Sequence, residues 1–190
     1  MKAIVNVNEA WGIGTNGDLL CFLPDDMRFF RETTKGKTVI MGRRTLESFP
    51  GAAPLPGRNN LVLTHEIERI PQTAFAKAAA DRASGKKTAL HAFSAPEELF
   101  SYLAEEKAKG SLTEEDLYVI GGAAIYKLLL PHCDTCLVTI NDCKANADTY
   151  FPNLRADADW QEISESELHV QNGISFHFTS WKRKAHSHLA

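Results

Sequence analysis

The chain of 190 residues has few cysteines, no long apolar run and no excess of basic charge. Four cysteines are too few for a disulfide framework, so a reducing cytoplasm is the expected location. The longest stretch without a formal charge, Leu168–Trp181, holds two His and other polar residues, so we expect no membrane span. The N-terminus soon becomes polar, and we expect no signal peptide. A net charge of −3 argues against nucleic acid as the main partner.

With 44% hydrophobic and 24% charged residues, the composition is that of a folded globular domain. Short β-rich runs alternate with helical patterns, which predicts an α/β domain with a mixed, mostly parallel β-sheet flanked by helices. Helices are predicted over 25–34, 44–49, 95–109 and 123–130, the third of them capped by Ser94. Residues 72–88 are predicted to form a short solvated helix. We expect a monomer, since no apolar helix face is left over.

The C-terminal part alternates apolar and polar residues around Asn172-Gly173, which predicts an antiparallel hairpin at the end of the sheet. Residues 1–182 are expected to form one domain, followed by a polar tail over 183–190. His186 and His188 lie in that tail, where a frayed end is favoured over a metal site.

The segment Gly12-Ile-Gly-Thr-Asn-Gly17 matches the pattern G-x-G-x-x-G of dinucleotide-binding folds. That interpretation requires a strand directly before the glycines and a helix directly after them. Four residues separate the first predicted strand from Gly12, and the residues after Gly17 show no helical pattern. A long glycine-bearing loop that closes over a ligand is therefore favoured.

Two other glycine positions suit phosphate groups better. Gly121-Gly122 stands between a predicted buried strand and a helix, although a tight turn without any ligand fits equally well. Gly42 is followed by Arg43 and Arg44, two cations that oppose the dipole at a helix start and would be stabilised by a bound polyanion. Two such junctions suit an extended ligand with phosphates, such as NADPH.

An acid and a base are candidates for binding a second ligand. Asp26 precedes Phe29 and Phe30 by one helical turn, and burial of that face would raise its pKa. The segment alone slightly favours an acid exposed to water. Arg58 follows a rigid Pro-Leu-Pro-Gly turn and suits a carboxylate, while a solvated Arg fits as well.

A zinc site is the weakest of the possible interpretations. His132, Cys133, Cys136 and Cys143 include a single C-x₂-C pair, and Cys136 falls within a predicted buried strand. Buried core thiols are favoured over a metal site, and no metal is expected.

Six segments in this order along nearly the whole chain resemble the dihydrofolate reductase family. They are Trp-Gly-Ile-Gly-Thr-Asn-Gly-Asp at 11–18, Leu-Pro-Asp-Asp-Met-Arg-Phe-Phe at 23–30, Thr-Val-Ile-Met-Gly-Arg-Arg-Thr-Leu-Glu-Ser-Phe at 38–49, Pro-Leu-Pro-Gly-Arg-Asn-Asn at 54–60, Val-Ile-Gly-Gly-Ala-Ala-Ile-Tyr at 119–126 and Ala-Asp-Thr-Tyr-Phe-Pro at 147–152. The resemblance implies that family's fold and the NADPH-dependent reduction of 7,8-dihydrofolate to tetrahydrofolate, with antifolates as inhibitors.

The resemblance also implies roles for individual residues. Asp26 matches the acid that anchors the pterin, Thr139 the threonine beside it, and Arg58 the partner of the glutamate α-carboxylate. The positions that line the folate pocket match Ile4, Val5, Met27, Phe30, Ser48, Phe49, Leu55 and Ile120. The cofactor-binding positions match Asn6, Ile13, Gly42, Arg43, Arg44, Thr45, Leu63, Thr64, His65, Gly121, Gly122, Ala123, Ala124, Ile125 and Tyr126. Residues 9–23 match a mobile loop, and Asp148 a position that supports it.

Three residues depart from the family's pattern. Cys21 stands where many members have Trp, Asn6 where many have a small Ala, and Ala124 where some have Arg. The alternatives are a related-fold NADPH-dependent reductase of riboflavin biosynthesis, whose substrate has no need of the pairing of Asp26 with Arg58, and a non-catalytic nucleotide- or zinc-binding module.

Overall fold

Strands and helices alternate along residues 1–185, the part of the chain that the computed structural model describes. His186 and His188 lie outside the described residues. The strands are β1 (Lys2–Asn8), β2 (Gly12–Thr15), β3 (Asp18–Leu19), β4 (Thr38–Gly42), β5 (Asn59–Leu63), β6 (Ala89–Phe93), β7 (Leu117–Gly121), β8 (Thr135–Asn141), β9 (Thr149–Tyr150), β10 (Trp160–Glu165), β11 (His169–Gln171) and β12 (Ile174–Arg183). The helices are α1 (Pro24–Thr34), α2 (Arg43–Ser48), α3 (Gln72–Ala83), α4 (Pro96–Ala108) and α5 (Ala123–Leu129). Within residues 1–185, none of these helices has the length and apolar character of a membrane span.

A nine-stranded sheet lies at the centre, in the order β10-β12-β8-β1-β7-β4-β5-β6, with β11 paired to β12. Strands β8, β1, β7, β4, β5 and β6 run parallel to their neighbours in this series. Strand β12 pairs antiparallel with β8, and β11 and β12 form the predicted hairpin. The turn residues Asn172 and Gly173 have φ angles of 54° and 75°, the left-handed values that a tight hairpin turn needs. The predicted α/β fold with a mostly parallel sheet is confirmed.

The side chains of the sheet alternate between two hydrophobic clusters, one on each face. On β7, Val119 belongs to one cluster, while Tyr118 and Ile120 belong to the other. Helices α4 and α5 cover the first face, and α1, α2 and α3 cover the second. Because the central strands are buried on both faces, their sequences read as continuous apolar runs.

A second, three-stranded sheet, β3-β2-β9, holds the glycine-bearing segment. Its strands have two to four residues each, too few to show a hydrophobic period, and the sequence did not predict them. The carboxylate of Asp148 accepts the backbone N–H of Asn16 at 2.7 Å, and the Asp148 N–H donates to the carbonyl of Gly14 at 3.1 Å. The predicted role of Asp148 as a support for this loop therefore has a direct structural basis.

The structure differs from the predictions at two boundaries, the start of helix α4 and the C-terminal end of the domain. Helix α4 has Ala95 rather than Ser94 at its N-cap; Ser94 instead donates its N–H and hydroxyl groups to the carboxylate of Glu98. Strand β12 includes Arg183, one residue past the expected boundary of the domain. The guanidinium of Arg183 donates to the carbonyls of Cys133 and Leu130, which satisfies two backbone acceptors beside the strand.

Helix α3, predicted to be solvated, buries one face. Ala74 and Ala78 lie in the hydrophobic cluster of that side of the sheet, and Asp81 is 3% exposed. Its carboxylate lies 3.4 Å from the ammonium of Lys77 and accepts the hydroxyl of Thr88 at 3.2 Å. Burial disfavours the charged form, but these partners outweigh it and hold the pKa of Asp81 below its usual range.

Two adjacent leucines of α5 test how far packing stabilises this fold. Leu129 is fully buried, whereas Leu128 is 40% exposed. Leu129→Ala is expected to lower the free energy of unfolding by about 2–5 kcal/mol, because it leaves a cavity in the core. Leu128→Ala, with the same change of helix propensity, is expected to change it by less than about 0.5 kcal/mol. Urea unfolding followed by circular dichroism measures both, and equal losses would contradict this assignment of the core.

Candidate active site

The candidate site is centred on Asp26, in the first turn of α1. Pro24 at the start of the helix and two acids after it suit a helix N-terminus. Asp25 lies at the surface in an ion pair with Arg28, while Asp26 is only 9% exposed. The segment alone favoured an exposed acid at this position, and the structure instead buries it, in line with the resemblance.

Each oxygen of the Asp26 carboxylate accepts one hydrogen bond from the sheet. The hydroxyl of Thr139 donates to Oδ1 at 2.6 Å, and Nδ2 of Asn6 donates to Oδ2 at 2.9 Å. Burial raises the pKa of Asp26, and the two hydrogen bonds oppose that rise without cancelling it. Since a carboxylate has about four acceptor positions, about two remain for a ligand.

At the other end of α1 lies the buried guanidinium of Arg58, which is 5% exposed. Nε donates to the hydroxyl of Thr34 at 2.9 Å, Nη1 to the carbonyl of Pro56 at 2.9 Å, and Nη2 to the carbonyl of Arg31 at 2.8 Å. Of its five N–H donors, about two remain for a ligand. Burial lowers the pKa of Arg58, and the nearby charge of Arg31 adds to that effect. A carboxylate ligand would stabilise this buried charge.

The face of the sheet below α1 gathers most of the predicted pocket residues. Ile4 and Ile120 are buried there, and Phe30, Phe49 and Leu55 pack against the same cluster. Met27 is 37% exposed on α1, and Ser48 is exposed, with its hydroxyl donating to the carbonyl of Thr45. Val5 differs from the expectation, since its side chain belongs to the cluster on the opposite face of the sheet. The alternation of β1 explains this, because Ile4 and Val5 must point to opposite sides.

The two predicted phosphate junctions lie side by side, at the carboxyl ends of the adjacent parallel strands β4 and β7. A Cβ on Gly42 would come within 3.1 Å of Ile125, and one on Gly121 within 3.2 Å of the Tyr126 ring. Gly121 also has a φ of 118°, and its peptide bond to Gly122 is cis. The space beside Gly42 and Gly121 is thus filled by side chains of α5, so a larger residue at either position would force Ile125 or Tyr126 to move.

Arg43 is engaged by protein carboxylates, which the sequence did not predict. Its Nη1 lies 2.5 Å from Glu47, one turn later in α2, and its Nη2 lies 2.8 Å from Glu66 after β5. These acids offset the unfavourable dipole that had suggested a bound anion. The Nε of Arg43 is buried and has no hydrogen-bond partner among the described residues. Arg44 is exposed, and the structure gives it no ion pair within residues 1–185.

The remaining predicted cofactor residues surround this edge. Tyr126 is buried, and its hydroxyl donates to the carbonyl of Ile4 at 2.7 Å; burial raises its pKa well above the usual range. Ile13 lines a small cavity with Asn6, Leu20, Cys21 and Asn141. The others lie at or after the ends of β4, β5 and β7 in the chain: Thr45, Leu63, Thr64, His65, Ala123 and Ala124. Leu63 is buried in the core, while His65 and Ala124 are exposed.

Asn6 and Asn141 are the residues whose role sequence reasoning missed. Asn6 was expected on the cofactor side, but its amide contacts Asp26, and the amide of Asn141 contacts Asn6 at 2.7 Å. The available signal was a polar residue inside an otherwise apolar, buried strand, since such groups need a hydrogen-bond partner.

The cysteines considered for zinc do not form a metal centre in the described part of the chain. Cys133 and Cys136 are buried, and burial raises the pKa of Cys133 to about 12 and that of Cys136 further still. No group of three or more potential ligands is placed to hold a metal ion within residues 1–185.

Replacing Asp26 tests the cost of burying its charge. Because its pKa is raised in the folded state, the folded protein is expected to lose stability as pH rises from 3.8, the ordinary value, through the raised pKa. Asp26→Asn removes that loss, so the variant should unfold at higher urea than the parent at neutral pH and at the same urea in strong acid. Asp25→Asn, next to it in an exposed ion pair, is the matched control. A variant with the parent's pH dependence would contradict the assignment.

Comparison with known proteins agrees with this geometry. A sequence model of the dihydrofolate reductase family matches residues 1–183. The chain is 32% identical over 175 residues to the dihydrofolate reductase of Mycobacterium leprae, covering 90% of both chains. It is 30% identical over 174 residues to that of Bacillus subtilis, covering 90% of this chain and 88% of the other.

A solved structure extends the agreement to three dimensions. The dihydrofolate reductase from Enterococcus faecalis, complexed with NADP(H) and RAB-propyl, superposes with a TM-score of 0.71 at 25% identity. The alignment covers 97% of this chain and 96% of that chain. Sequence, fold and the arrangement around Asp26 lead to one conclusion, that the chain belongs to the dihydrofolate reductase family.

Proposed function

We propose that the protein reduces 7,8-dihydrofolate to 5,6,7,8-tetrahydrofolate with NADPH, adding a hydride to C6 and a proton to N5 of the pterin. The observation that carries the proposal is the pair of buried ions at the two ends of α1. Asp26 retains about two acceptor positions, and Arg58 retains about two donors. Family membership and the named relatives support the same reaction.

The spacing of the two ions suits a substrate with a hydrogen-bond donor at one end and a carboxylate at the other. Asp26 and Thr34, which holds Arg58, are eight residues apart on α1, about 12 Å along the helix axis. The pterin presents N3 and a 2-amino group to an acid, and the glutamate tail presents a carboxylate to a guanidinium. Phe30, Phe49 and Leu55 supply the apolar walls between them.

The edge formed by β4 and β7 fits NADPH. Gly42 and Gly122 are the N-caps of α2 and α5, whose first backbone N–H groups lack helical partners. Within the described residues, Arg43 has an unpartnered buried Nε and Arg44 is exposed without an ion pair. These N–H donors and positive charges suit the phosphates of the cofactor, and backbone at glycine lets a ligand approach closely. When bound, NADPH supplies the hydride. The chain's own part is to hold the two flat rings together and to exclude bulk water.

Asp26 has two tasks in this proposal. It accepts hydrogen bonds from the pterin, which fixes the ring and polarises it toward a protonated N5. Its raised pKa lets it share a proton with the substrate closer to neutrality than an exposed acid would. The proton itself reaches N5 from a water admitted by the loop of residues 9–23.

Loss of the Asp26 carboxylate is expected to slow the reaction in a pH-dependent way. Asp26→Asn should reduce hydride transfer by about 10²- to 10⁴-fold at neutral pH, since a positioned proton-transfer group contributes about that much. The rate should recover partly at acidic pH, where the substrate is protonated before it binds. Single-turnover oxidation of NADPH, followed by absorbance, measures both effects, with Asp25→Asn as the control. Unchanged turnover at every pH would refute the role of Asp26.

The arginines at the start of α2 are expected to set the choice of cofactor. The parent should have a higher kcat/KM with NADPH than with NADH, because Arg43 and Arg44 bring positive charge to the phosphate side. Arg44→Gln should reduce the preference by about tenfold, the effect of one charge-assisted contact. Arg69→Gln, on the exposed side of Glu66, is a control for a general change of charge. Equal kcat/KM for both cofactors in the parent would refute the assignment.

A further inference from the structure

Asn6 lies opposite Thr139 in the register of the parallel strands β1 and β8. The two side chains therefore leave the sheet on the same face, and each donates a hydrogen bond to a different oxygen of Asp26. Thr139 was expected beside this acid. Asn6 was expected to contact the cofactor, and its hydrogen bond to Asp26 gives it a different task.

The orientation of the Asn6 amide is fixed by a chain of hydrogen bonds that starts at the backbone. The N–H of Cys143 donates to Oδ1 of Asn141 at 2.9 Å, and Nδ2 of Asn141 donates to the carbonyl of Val7 at 2.8 Å. Backbone donors and acceptors cannot exchange roles, so the Asn141 amide has one orientation. Its Nδ2 also donates to Oδ1 of Asn6 at 2.7 Å, which turns the NH₂ of Asn6 toward Asp26.

A donor fixed in this way favours the ionised form of the carboxylate. Burial favours the protonated form of Asp26, and the hydrogen bonds from Thr139 and Asn6 act against it. The other titratable groups that face Asp26 are the Cys21 thiol, from the loop before α1, and the Tyr126 phenol, from α5. Burial raises the pKa of Cys21 to about 12 and that of Tyr126 well above its usual range, so both are neutral at physiological pH. The two neutral donors are thus the groups that favour the charged form of Asp26.

We propose that Asn6, oriented by Asn141, is a positioning residue that holds Asp26 ionised and aligned for the pterin. The inference rests on the proposed reduction of dihydrofolate for its kinetic consequences only. Its structural part, the control of the charge on Asp26, applies to the protein without ligands. Asn6 leaves the outer acceptor positions of the carboxylate open, so it supports the substrate anchor without occupying it.

The test begins with the ligand-free protein. The ¹³Cγ resonance of Asp26, assigned by its loss in Asp26→Asn, is titrated by NMR in the parent and in Asn6→Ala. The midpoint is expected to rise by about one pH unit or more in Asn6→Ala, since a hydrogen bond to a charged group has about that effect. An unchanged midpoint in a folded variant would overturn the proposal. This readout does not depend on which substrate the enzyme reduces.

Asn8→Ala is the matched control from the same strand. Oδ1 of Asn8 accepts the backbone N–H groups of Ala10 and Gly12, and its Nδ2 donates to the carbonyl of Cys143 at 3.4 Å; neither atom bonds to Asp26. This variant should therefore keep the parent's midpoint. A shift as large as that of Asn6→Ala would mean that any buried Asn of β1 has this effect, and would overturn the proposal.

The orientation by Asn141 is tested with a double-mutant cycle. Asn141→Ala alone should raise the midpoint by less than Asn6→Ala, because the freed amide of Asn6 can still reach Asp26 in one of its two orientations. In the Asn6→Ala background, Asn141→Ala should add no further shift. An additive second shift would show that Asn141 acts on Asp26 independently of Asn6.

Kinetics separate the proposed role from a contact with the cofactor. For Asn6→Ala, KM for dihydrofolate should rise by up to about tenfold at pH values below the two NMR midpoints, the full effect of about one unit of pKa, and KM for NADPH should stay within about twofold. The effect should shrink at alkaline pH, where Asp26 is ionised in both proteins. A rise confined to KM for NADPH would overturn the proposal. If the parent itself fails to reduce dihydrofolate, the proposed function fails, while the NMR titration still decides the role of Asn6.

Discussion

The site depends on one buried carboxylate. Moving a negative charge out of water is costly, and a buried acid either takes up a proton or finds hydrogen-bond donors. Asp26 has two such donors, Asn6 and Thr139. They lie side by side because the two parallel strands that carry them are neighbours in a fixed register. The burial of this one carboxylate thus requires both the order of the strands and the position at which α1 begins.

The parallel sheet explains why the pieces of the site converge. In parallel strands the carboxyl ends share one edge, and the segments that follow β1, β4, β7 and β8 meet there. Gly42 and Gly121 are distant in sequence yet adjacent in space for this reason. The same edge therefore carries the starts of α2 and α5 beside β4 and β7, and the buried acid beside β1 and β8.

Much of the fold was predictable because its signals are local or repeated. Apolar runs indicated the central strands, and the Asn172-Gly173 turn indicated the hairpin. Short elements such as β2 and β9 were not predictable, because their pairing joins segments more than 100 residues apart and no period shows in a few residues. The burial of one face of α3 was missed for a similar reason, since its buried positions are small alanines.

The residues of the site divide in the same way, into those with a local sequence signal and those without one. Asp26 and Arg58 stood out by their local setting, and the family resemblance gave them roles. Arg43 has one partner at helical spacing, Glu47, but its other partner, Glu66, follows it by 23 residues through a strand, and no spacing rule connects those two. The amide of Asn6 did not stand out either, since its hydrogen bonds to Asp26 and Asn141 arise only when three separate segments come together.

The hydroxyl of Thr34 joins α1 to Arg58, because it accepts from the guanidinium and donates to the carbonyl of Phe30. Together with the carbonyl of Arg31, it joins the guanidinium to the helix that carries Asp26, while Nη1 donates to the carbonyl of Pro56 in the segment before β5. The distance between the carboxylate of Asp26 and the guanidinium of Arg58 therefore depends on the length of α1. A bend or a lost turn in α1 would change that distance without altering either side chain.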